Sequence, residues 1–339
     1  MVHVGIDVHL RESQICVLRD DGTLTQQRVA TRPDRLVAVV GPLAPAQVLL
    51  EASGQSEWVA ATLEGVPGLT VVVADPNYAP MYPGRRRIKT DQRDAEALAI
   101  ASAKGTYRAV HRRSAAQRQV QARLTVRDQM VRVRTRLINV VRATLRRDGV
   151  RLPSGPADTL PARVAAADVP LAAAVVVAPL LALLRHITAQ LQALDADLAA
   201  DARQDAVVQR LMGVPGVGPI TALAFVATVD TPTRFARAGQ VASFLGLVPG
   251  EHSSGDQRRR GGITKRGPRR ARWLLGQAAW CVWRSGRPEV AALRAWAERL
   301  SARRGRHIAL VALARRLATI LFAMWRDGTR FGAPRPLPV

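Results

Sequence analysis

Short apolar runs separated by turn residues occupy the start of the chain. Residues 2–8 and 13–19 predict two β-strands by their length and composition. The sequence Asp20-Asp21-Gly22 is typical of a hairpin turn, and Thr23 to Ala30 predicts a third strand after it. The chain therefore begins with a predicted antiparallel meander.

The pattern then changes to strands that alternate with helices. Helices are predicted at 35–40 and 58–63, and fully buried strands at 47–50 and 69–74. A meander followed by this alternation predicts a mixed α/β sheet, which we assign to a domain of residues 1–110.

The middle of the chain is predicted to be helical. One helix spans Ala115 to Arg147, because apolar residues recur there at spacings of four and seven. A second helix carries a heptad seam made of Leu180, Leu184, Ile187, Leu191, Leu194 and Leu198. Prolines and glycines at 149–170 predict a linker. We expect a coiled-coil arm over 111–204, an antiparallel pair for dimerisation or nucleic-acid binding; packing of both helices within one bundle is the alternative.

The last part, residues 205–339, is predicted to be a mainly α-helical domain. It opens with Leu211 to Ala222, where a glycine-rich turn connects two helices. Glycines there let backbone amides face a phosphate at the start of the second helix, where the helix dipole also favours an anion. This predicts a helix-hairpin-helix that contacts DNA through Gly216 and Gly218, whereas a tight turn without a ligand is the alternative.

Charge narrows the choice of partners. The 339 residues are 48% hydrophobic, and 50 Lys and Arg stand against 26 Asp and Glu, a formal net charge of +24. Such an excess repels itself unless a polyanion or counterions screen it. Nucleic acid is the expected polyanion, and an anionic membrane surface is the competing partner.

We expect no membrane-spanning segment. No run of about 20 uninterrupted apolar residues occurs, and Pro179 interrupts the most apolar stretch, Leu171 to Leu184. No signal-peptide pattern is found, and Cys16 and Cys281 are too few for a disulfide framework or a zinc site. The expectation is a cytoplasmic, nucleoid-associated protein.

A loop rich in arginine and glycine follows Gly255. A solvated charged surface would not need the glycines, whereas a loop that closes on phosphates would. We therefore expect nucleic-acid contacts from Arg258, Arg259, Arg260, Lys265 and Arg266.

Four acidic residues are the main candidates for chemistry. Asp7 and Glu51 lie at predicted neighbouring strands, and Asp91 and Asp94 lie three apart on one predicted helix. Carboxylate oxygens suit Mg²⁺, which is often shared with phosphates. On a basic chain this predicts metal-assisted chemistry on nucleic acid. The alternatives are a turn role for Asp7 and a favourable dipole interaction of the other two at a helix N-terminus.

These motifs resemble, in order, those of the DEDD-type insertion-sequence transposases, relatives of the Piv DNA invertase. The N-terminal resemblance is carried by Gly5-Ile6-Asp7-Val8-His9, Glu51-Ala52-Ser53-Gly54 and Lys89-Thr90-Asp91-Gln92-Arg93-Asp94-Ala95. The C-terminal resemblance is carried by Gly213-Val214-Pro215-Gly216-Val217-Gly218, Ser253-Ser254-Gly255 and Ile263-Thr264-Lys265-Arg266-Gly267.

The resemblance implies an RNase H-like N-terminal domain similar to that of the resolvase RuvC. This domain is expected to bind Mg²⁺ or Mn²⁺. Its metal-binding catalytic tetrad would be Asp7, Glu51, Asp91 and Asp94. A C-terminal serine would form a phosphoserine link to DNA; Ser254 is the expected nucleophile, because the family motif places serine directly before the glycine, and Ser253 is the competitor. The implied partners are donor and target DNA, a structured guide (bridge) RNA, and further copies of the chain in a dimer or tetramer.

Several alternatives stay open at this point. Glu96 could replace one tetrad member, His252 could assist the serine, and Lys89 and Arg93 could contact the phosphate or the tetrad. A RuvC-like, metal-dependent junction nuclease would use water and would not need Ser254. A binding protein without catalysis would need no tetrad. An actin-like sugar kinase also begins with a Gly-Ile-Asp sequence, but the glycine-rich phosphate loops that it requires are not found.

Overall fold

The computed structural model describes residues 1–81, 90–251 and 260–332. The chain forms two compact units, Met1–Arg112 and Arg113–Val339. The first is a mixed α/β unit and the second is mainly helical, so the predicted fold class is confirmed in outline.

A mixed sheet is the frame of the first unit. Its elements in chain order are β1 (Val2–Val8), β2 (Glu12–Leu18), β3 (Leu24–Ala30), α1 (Pro33–Val40), β4 (Ala46–Glu51), α2 (Ser56–Glu64), β5 (Leu69–Ala74) and α3 (Asp91–Lys104). The strands lie in the order β3-β2-β1-β4-β5. The β1–β2 and β2–β3 pairs are antiparallel, whereas β4 runs parallel to both β1 and β5. The predicted adjacency of the strands that carry Asp7 and Glu51 is confirmed.

Different helices cover the two faces of this sheet. Ile6 and Leu50 are partners in the β1–β4 ladder and are buried with side chains of α1 and α2. The next pair along the same ladder, Gly5 and Leu49, lies against α3 instead. Successive residues of a strand point to opposite faces of the sheet. Because helices cover both faces, these strands bury residues on both sides, and their sequences are continuous apolar runs.

The second unit is built mainly from helices. Its elements are α4 (Ala115–Arg147), α5 (Leu160–Ala165), α6 (Leu171–Gln204), α7 (Ala206–Met212), α8 (Pro219–Val229), α9 (Ala238–Phe244), β6 (Pro249–Glu251), β7 (Arg260–Ile263), α10 (Arg269–Arg284), α11 (Ala291–Arg304) and α12 (Arg306–Arg326). One large hydrophobic core joins α8, α10 and α12 to one end of the α4–α6 pair.

Helices α4 and α6 pack as an antiparallel pair. The start of α4 lies beside the end of α6, where Arg123 pairs with Asp201 and Arg127 with Asp195. The predicted seam is confirmed by its buried members Leu184, Leu191 and Leu198. The spacing of seven between them is that of a coiled-coil seam.

The predicted linker at 149–170 is only partly irregular, because it contains the short helix α5. Leu160 and Val164 of α5 are buried in one cluster with Val141 of α4 and Val177 of α6. The surrounding prolines and glycines predicted a linker, so the apolar residues Leu160 and Val164, four positions apart, were not recognised as one face of a helix. The segment therefore caps the end of the helical pair rather than only connecting it.

Pro179 interrupts the apolar stretch of the sequence but not the second helix. Helix α6 begins at Leu171 and passes through this residue. An internal proline removes one backbone donor and crowds the preceding turn. Burial of Val177 and Leu181 on either side of it holds the helix in place.

Two helices bear on the expectation that no segment spans a membrane. Helices α6 and α12 are each long and apolar enough, by length and composition alone, to cross a membrane. Half of the apolar window of α12 is buried in the unit, and 22% of that of α6. Buried core helices pass the same test, so these two helices are weak evidence for a membrane protein.

Candidate active site

Two carboxylates lie at the carboxyl ends of adjacent parallel strands. Asp7 follows Gly5 by two positions on β1, and Glu51 follows Leu49 by two positions on β4. Because side chains alternate along a strand, both acids belong to the sheet face that α3 covers. The Asp7 side chain is only 14% exposed.

Helix α3 brings two further carboxylates to the same face. Its N-cap is Thr90, whose hydroxyl accepts a hydrogen bond from the Arg93 amide at 3.3 Å. This cap begins the helix at Asp91 and places Asp94 one turn later, where it is buried. The favourable dipole at a helix N-terminus helps to accommodate acids in this first turn.

Gly5 sets the distance between α3 and β1. A Cβ atom at this position would lie 2.1 Å from the carbonyl oxygen of Ala95 and 2.4 Å from the amide nitrogen of Ala99. Only glycine allows the helix backbone to pack directly on the strand two residues before Asp7. This role of Gly5 is absent from the sequence prediction, because it depends on a contact between segments some ninety residues apart.

The electrostatics show that the four acids share one environment. Burial raises the pKa of Asp7 above its usual range, and the carboxylates of Asp94, Asp91 and Glu51 raise it further, while His9 opposes them. Like charges in close proximity disfavour ionisation in this way. The structure thus brings the tetrad members together around Asp7, although their catalytic role stays a prediction.

His9 is an additional site residue that sequence reasoning missed. Its Nε2 atom lies 3.2 Å from Oδ2 of Asp7 and 3.3 Å from Oδ1 of Asp91. The potential ligand atoms of these three residues all lie within 4.8 Å of one another. The sequence did contain an indication of this contact: Asp7 and His9 lie two positions apart at the end of a predicted strand, a spacing that places both side chains on one face.

A pocket lined by both cations and carboxylates adjoins this cluster. Its volume is about 260 Å³, and it is lined by His9, Arg11, Glu12, Gln14, Arg28 and Asp91. An Nη atom of Arg28 lies 3.5 Å from Asp91. Its other Nη atom lies 3.6 Å from Glu12, so this arginine is shared between two carboxylates of the pocket.

Glu96, the alternative tetrad member, is directed to another part of the sheet. It accepts a hydrogen bond from Nε2 of Gln26 on β3 at 3.3 Å. It also raises the pKa of buried Cys16, for which burial is the main cause and which reaches about 11. These contacts support the original choice of Asp94 over Glu96.

The predicted nucleophile lies outside the described residues, as do its competitor and several basic candidates. These are Ser253, Ser254, His252, Arg258, Arg259 and Lys89. Arg260 begins β7, and its backbone pairs with Glu251 of β6. The structure therefore describes the base of the serine loop but not the serines.

The base of that loop is anchored tightly to the end of α9. Cβ atoms at Gly246 and Gly267 would lie 2.1 Å from the Arg266 carbonyl oxygen and 2.0 Å from the Phe244 carbonyl oxygen. Lys265 has a φ of 55°, and its amide donates to the Gly246 carbonyl at 3.1 Å. The exposed side chains of Lys265 and Arg266 thus project from a backbone that the packing holds in place.

The glycine-rich turn between α7 and α8 has a structural explanation at one of its two candidate positions. Gly216 has a φ of +90°, and a Cβ atom there would lie 3.0 Å from both the Ala278 carbonyl oxygen and Cβ of Cys281 on α10. Packing alone therefore requires Gly216. Gly218 is the N-cap of α8, and a Cβ atom there would meet none of the described residues within 4 Å. Contact of either glycine with DNA stays a prediction.

Comparison with known proteins adds the following matches. The model of the transposase IS116/IS110/IS902 family matches residues 208–294, and a transposase model of the IS110 DEDD type matches residues 4–147. A probable family 20 transposase of Pseudomonas aeruginosa is 37% identical over 83% of this chain and 84% of its own length. The transposase for insertion sequence element IS1111A of Coxiella burnetii is 31% identical over 95% of this chain and 88% of its own length.

Proposed function

The chain belongs to the IS116/IS110/IS902 family of transposases, and from this membership we propose that it is an insertion-sequence recombinase with an acidic tetrad and a serine nucleophile. Its family implies cleavage and rejoining of DNA. The observation that supports the proposed chemistry best is the grouping of Glu51, Asp91 and Asp94 around the buried Asp7.

The residues of this cluster fit a divalent cation, Mg²⁺ or Mn²⁺. The close carboxylates carry negative charge that burial leaves poorly solvated, and Asp7 and Asp91 present oxygens near one point. Both ions prefer oxygen ligands, so His9 fits better as the group that orients these two carboxylates than as a ligand. When bound, the cation would stabilise charge that develops at the scissile phosphate.

Ser254 supplies the nucleophile in this proposal. Its Oγ attacks the phosphorus, the bond from phosphorus to one strand-end oxygen breaks, and that oxygen takes up a proton. The DNA is then held as a phosphoserine ester. A hydroxyl group of another strand end attacks this ester, forms the new phosphodiester and releases the serine hydroxyl. Ser253 is the competing nucleophile.

The basic groups would hold the DNA backbone. Lys265 and Arg266 are exposed beside the anchored base of the serine loop, which supports their assignment to phosphate contacts. The proposal includes the remaining sequence candidates Arg258, Arg259, Arg260, Gly216 and Gly218. A guide RNA is a further proposal, supported by the net charge of +24 and the family resemblance.

We also propose that the chain works as a dimer or tetramer. Val126, Val133 and Val140 recur every seven residues on α4 and are about half exposed. They form an apolar stripe on α4 that is distinct from the buried seam of α6. A repeat of seven is the pattern by which helices of separate chains associate.

The test uses strand cleavage and joining of DNA that carries the element ends, in the presence of Mn²⁺. We expect Ser254→Ala to abolish both the detergent-stable protein–DNA adduct and strand joining, while Ser253→Ala keeps both. Asp7→Asn should abolish cleavage. Joining by Ser254→Ala would refute the serine chemistry, and cleavage without joining would support a RuvC-like nuclease that uses water.

RNA guidance needs a separate experiment. The wild-type protein is purified with the nucleic acid that it holds in the cell, and the bound RNA is sequenced. A discrete RNA from the flank of the gene, with segments that match two DNA sequences, is the expected result. Random cellular RNA would refute RNA guidance without affecting the serine test.

A further inference from the structure

Helix α10 presents two tryptophans on one face. Trp273 is 56% exposed, and Trp280 follows it by seven residues, or two helical turns. Between them, Gly276 lies on the same face at the i+3 position. Among the residues that the structure describes, a Cβ atom at Gly276 would meet nothing within 4 Å, so neither their packing nor a positive φ requires glycine at this position in the middle of a helix.

This glycine keeps the surface between the tryptophans flat. An internal helical glycine costs about 1 kcal/mol relative to alanine. Since an alanine side chain would fit here without a clash, the space over Gly276 is available to a ligand. The backbone positions of Trp273 and Trp280 lie on either side, about 10 Å apart along the helix axis by the rise of 1.5 Å per residue.

Cations flank this surface. Arg269 lies one turn before Trp273, and Arg284 one turn after Trp280, and both are exposed. The guanidinium groups of Arg306 and Arg284 lie 4.4 Å and 5.7 Å from the ring centroid of Trp280, which is partly buried against the core of the unit. Helix α10 contains no acidic residue. The face therefore combines aromatic rings with positive charge.

The remaining arginines at the start of α10 have structural roles instead. Arg270 bonds to Asp128, Gln121 and Thr125 on α4, and Arg272 donates to the Leu245 carbonyl at 2.9 Å. Arg270 and Arg272 thus hold the unit together, whereas Arg269 is exposed and Arg284 and Arg306 lie against the Trp280 ring.

We propose that Trp273 and Gly276 form a stacking surface for unpaired bases of a DNA strand. Its phosphates would be contacted by Arg269 and by the two arginines held on the Trp280 ring, Arg284 and Arg306. Aromatic rings interleaved with cations are typical of single-strand binding, because a base offers its flat face only when it is unstacked. An anionic strand also complements the charge of this face. The assignment to DNA rests on the proposed function, in which strand exchange would free DNA ends. The serine and the tetrad are not part of this surface, so a binding measurement tests it alone.

The experiment measures binding of a labelled single-stranded oligonucleotide to nucleic-acid-free, full-length protein. The same-sequence duplex and single-stranded RNA serve as comparisons. We expect Trp273→Ala to weaken single-stranded DNA binding by roughly 5- to 100-fold, since one stacked base contributes that much. Duplex affinity should change less than twofold, and Trp273→Phe should retain most of the affinity.

Gly276→Leu separates binding from folding. Leucine favours a helix more than glycine does, so the thermal unfolding temperature should stay the same or rise. The side chain would cover the surface, so single-stranded DNA binding should fall as in Trp273→Ala. Trp296→Phe, which alters a different tryptophan beneath Arg316, is the matched control and should bind as wild type.

Three results would overturn the proposal. They are unchanged single-stranded DNA affinity in Trp273→Ala, an equal loss of duplex affinity, and a loss confined to RNA. None of them depends on whether Ser254 is the nucleophile.

Discussion

The Asp7 carboxyl is held where burial and neighbouring carboxylates oppose its ionisation. Its raised pKa means that the folded protein binds more protons than the unfolded chain between the two pKa values. The free energy of unfolding therefore falls as the pH rises through that window. At higher pH the wild type stays destabilised by the ionised Asp7 carboxylate. In EDTA at neutral pH, Asp7→Asn should unfold at a higher temperature than wild type, and the difference should vanish in acid.

The same variant tests metal binding. Adding Mn²⁺ should raise the unfolding temperature of wild type but not of Asp7→Asn, because a ligand stabilises only the state that binds it. Asp21→Asn is the control with the opposite sign: a hydrogen bond from the Thr23 amide lowers the pKa of Asp21. Replacing this carboxylate should lower the unfolding temperature at neutral pH. It should leave the increase in unfolding temperature on adding Mn²⁺ unchanged. An equal Mn²⁺ response in Asp7→Asn would exclude Asp7 as a ligand.

Gly5→Ala should damage the site without touching a carboxylate. The new methyl group would clash with α3 backbone atoms of Ala95 and Ala99 and push the helix away from β1. Overpacking of this kind typically costs about 1–3 kcal/mol of unfolding free energy. We expect that loss in denaturant unfolding, together with loss of DNA cleavage.

Gly54→Ala is the matched control for this prediction. Its Cβ atom would enter open space close in sequence to Glu51, so its stability should stay within about 0.5 kcal/mol of wild type. If Gly5→Ala were as stable and as active as Gly54→Ala, the close approach of α3 would not be needed to form the site.

These residues show how far sequence can locate the site. Asp7 and Glu51 were proposed from the sequence because each lies at a short apolar run that predicts a strand. The structure pairs these two strands in parallel, and the catalytic role of the two acids stays a prediction. His9 and Gly5 were missed, since their roles require the position of α3 against β1, which no local pattern supplies. The serine assignment rests on family resemblance and stays a prediction.

At the scale of elements, periodicity located the strands and the long helices well. Helix α4 spans the predicted Ala115–Arg147, because burial along it repeats over many turns. Helix α5 was missed, as six residues are too few to show a period. The continuity of α6 through Pro179 comes from packing against the rest of the arm, which overrides the local cost of proline.

The exposed stripe of α4 gives a prediction at this scale. Val133→Glu should lower the mass of the particle measured by light scattering, because a charge at the centre of an apolar helix seam opposes association. The variant chain should still fold, since the Val133 side chain is 46% exposed and not part of the core. Thr135→Glu introduces the same charge at an exposed position elsewhere on α4 and should leave the mass unchanged. An unchanged mass in Val133→Glu would exclude this stripe as the interface.

Over the whole molecule, the net charge of +24 predicts DNA binding that weakens steeply with salt. Each phosphate that the protein neutralises contributes about −0.9 to the slope of log K against log salt concentration for duplex DNA. If Lys265 and Arg266 each contact a phosphate, the double variant Lys265→Ala/Arg266→Ala should lose about 1.8 from that slope.

The double variant distinguishes two explanations of the salt dependence: phosphate contacts made by Lys265 and Arg266, or long-range attraction of DNA by the whole basic surface. Arg35→Ala, an exposed cation on α1, is the control and should leave the slope within error of wild type. A purely long-range effect would instead reduce the slope in proportion to charge wherever it is removed, so Arg35→Ala would then show about half the change of the double variant. Titrations at several salt concentrations distinguish the two cases, because specific contacts make the slope depend on position and not only on net charge.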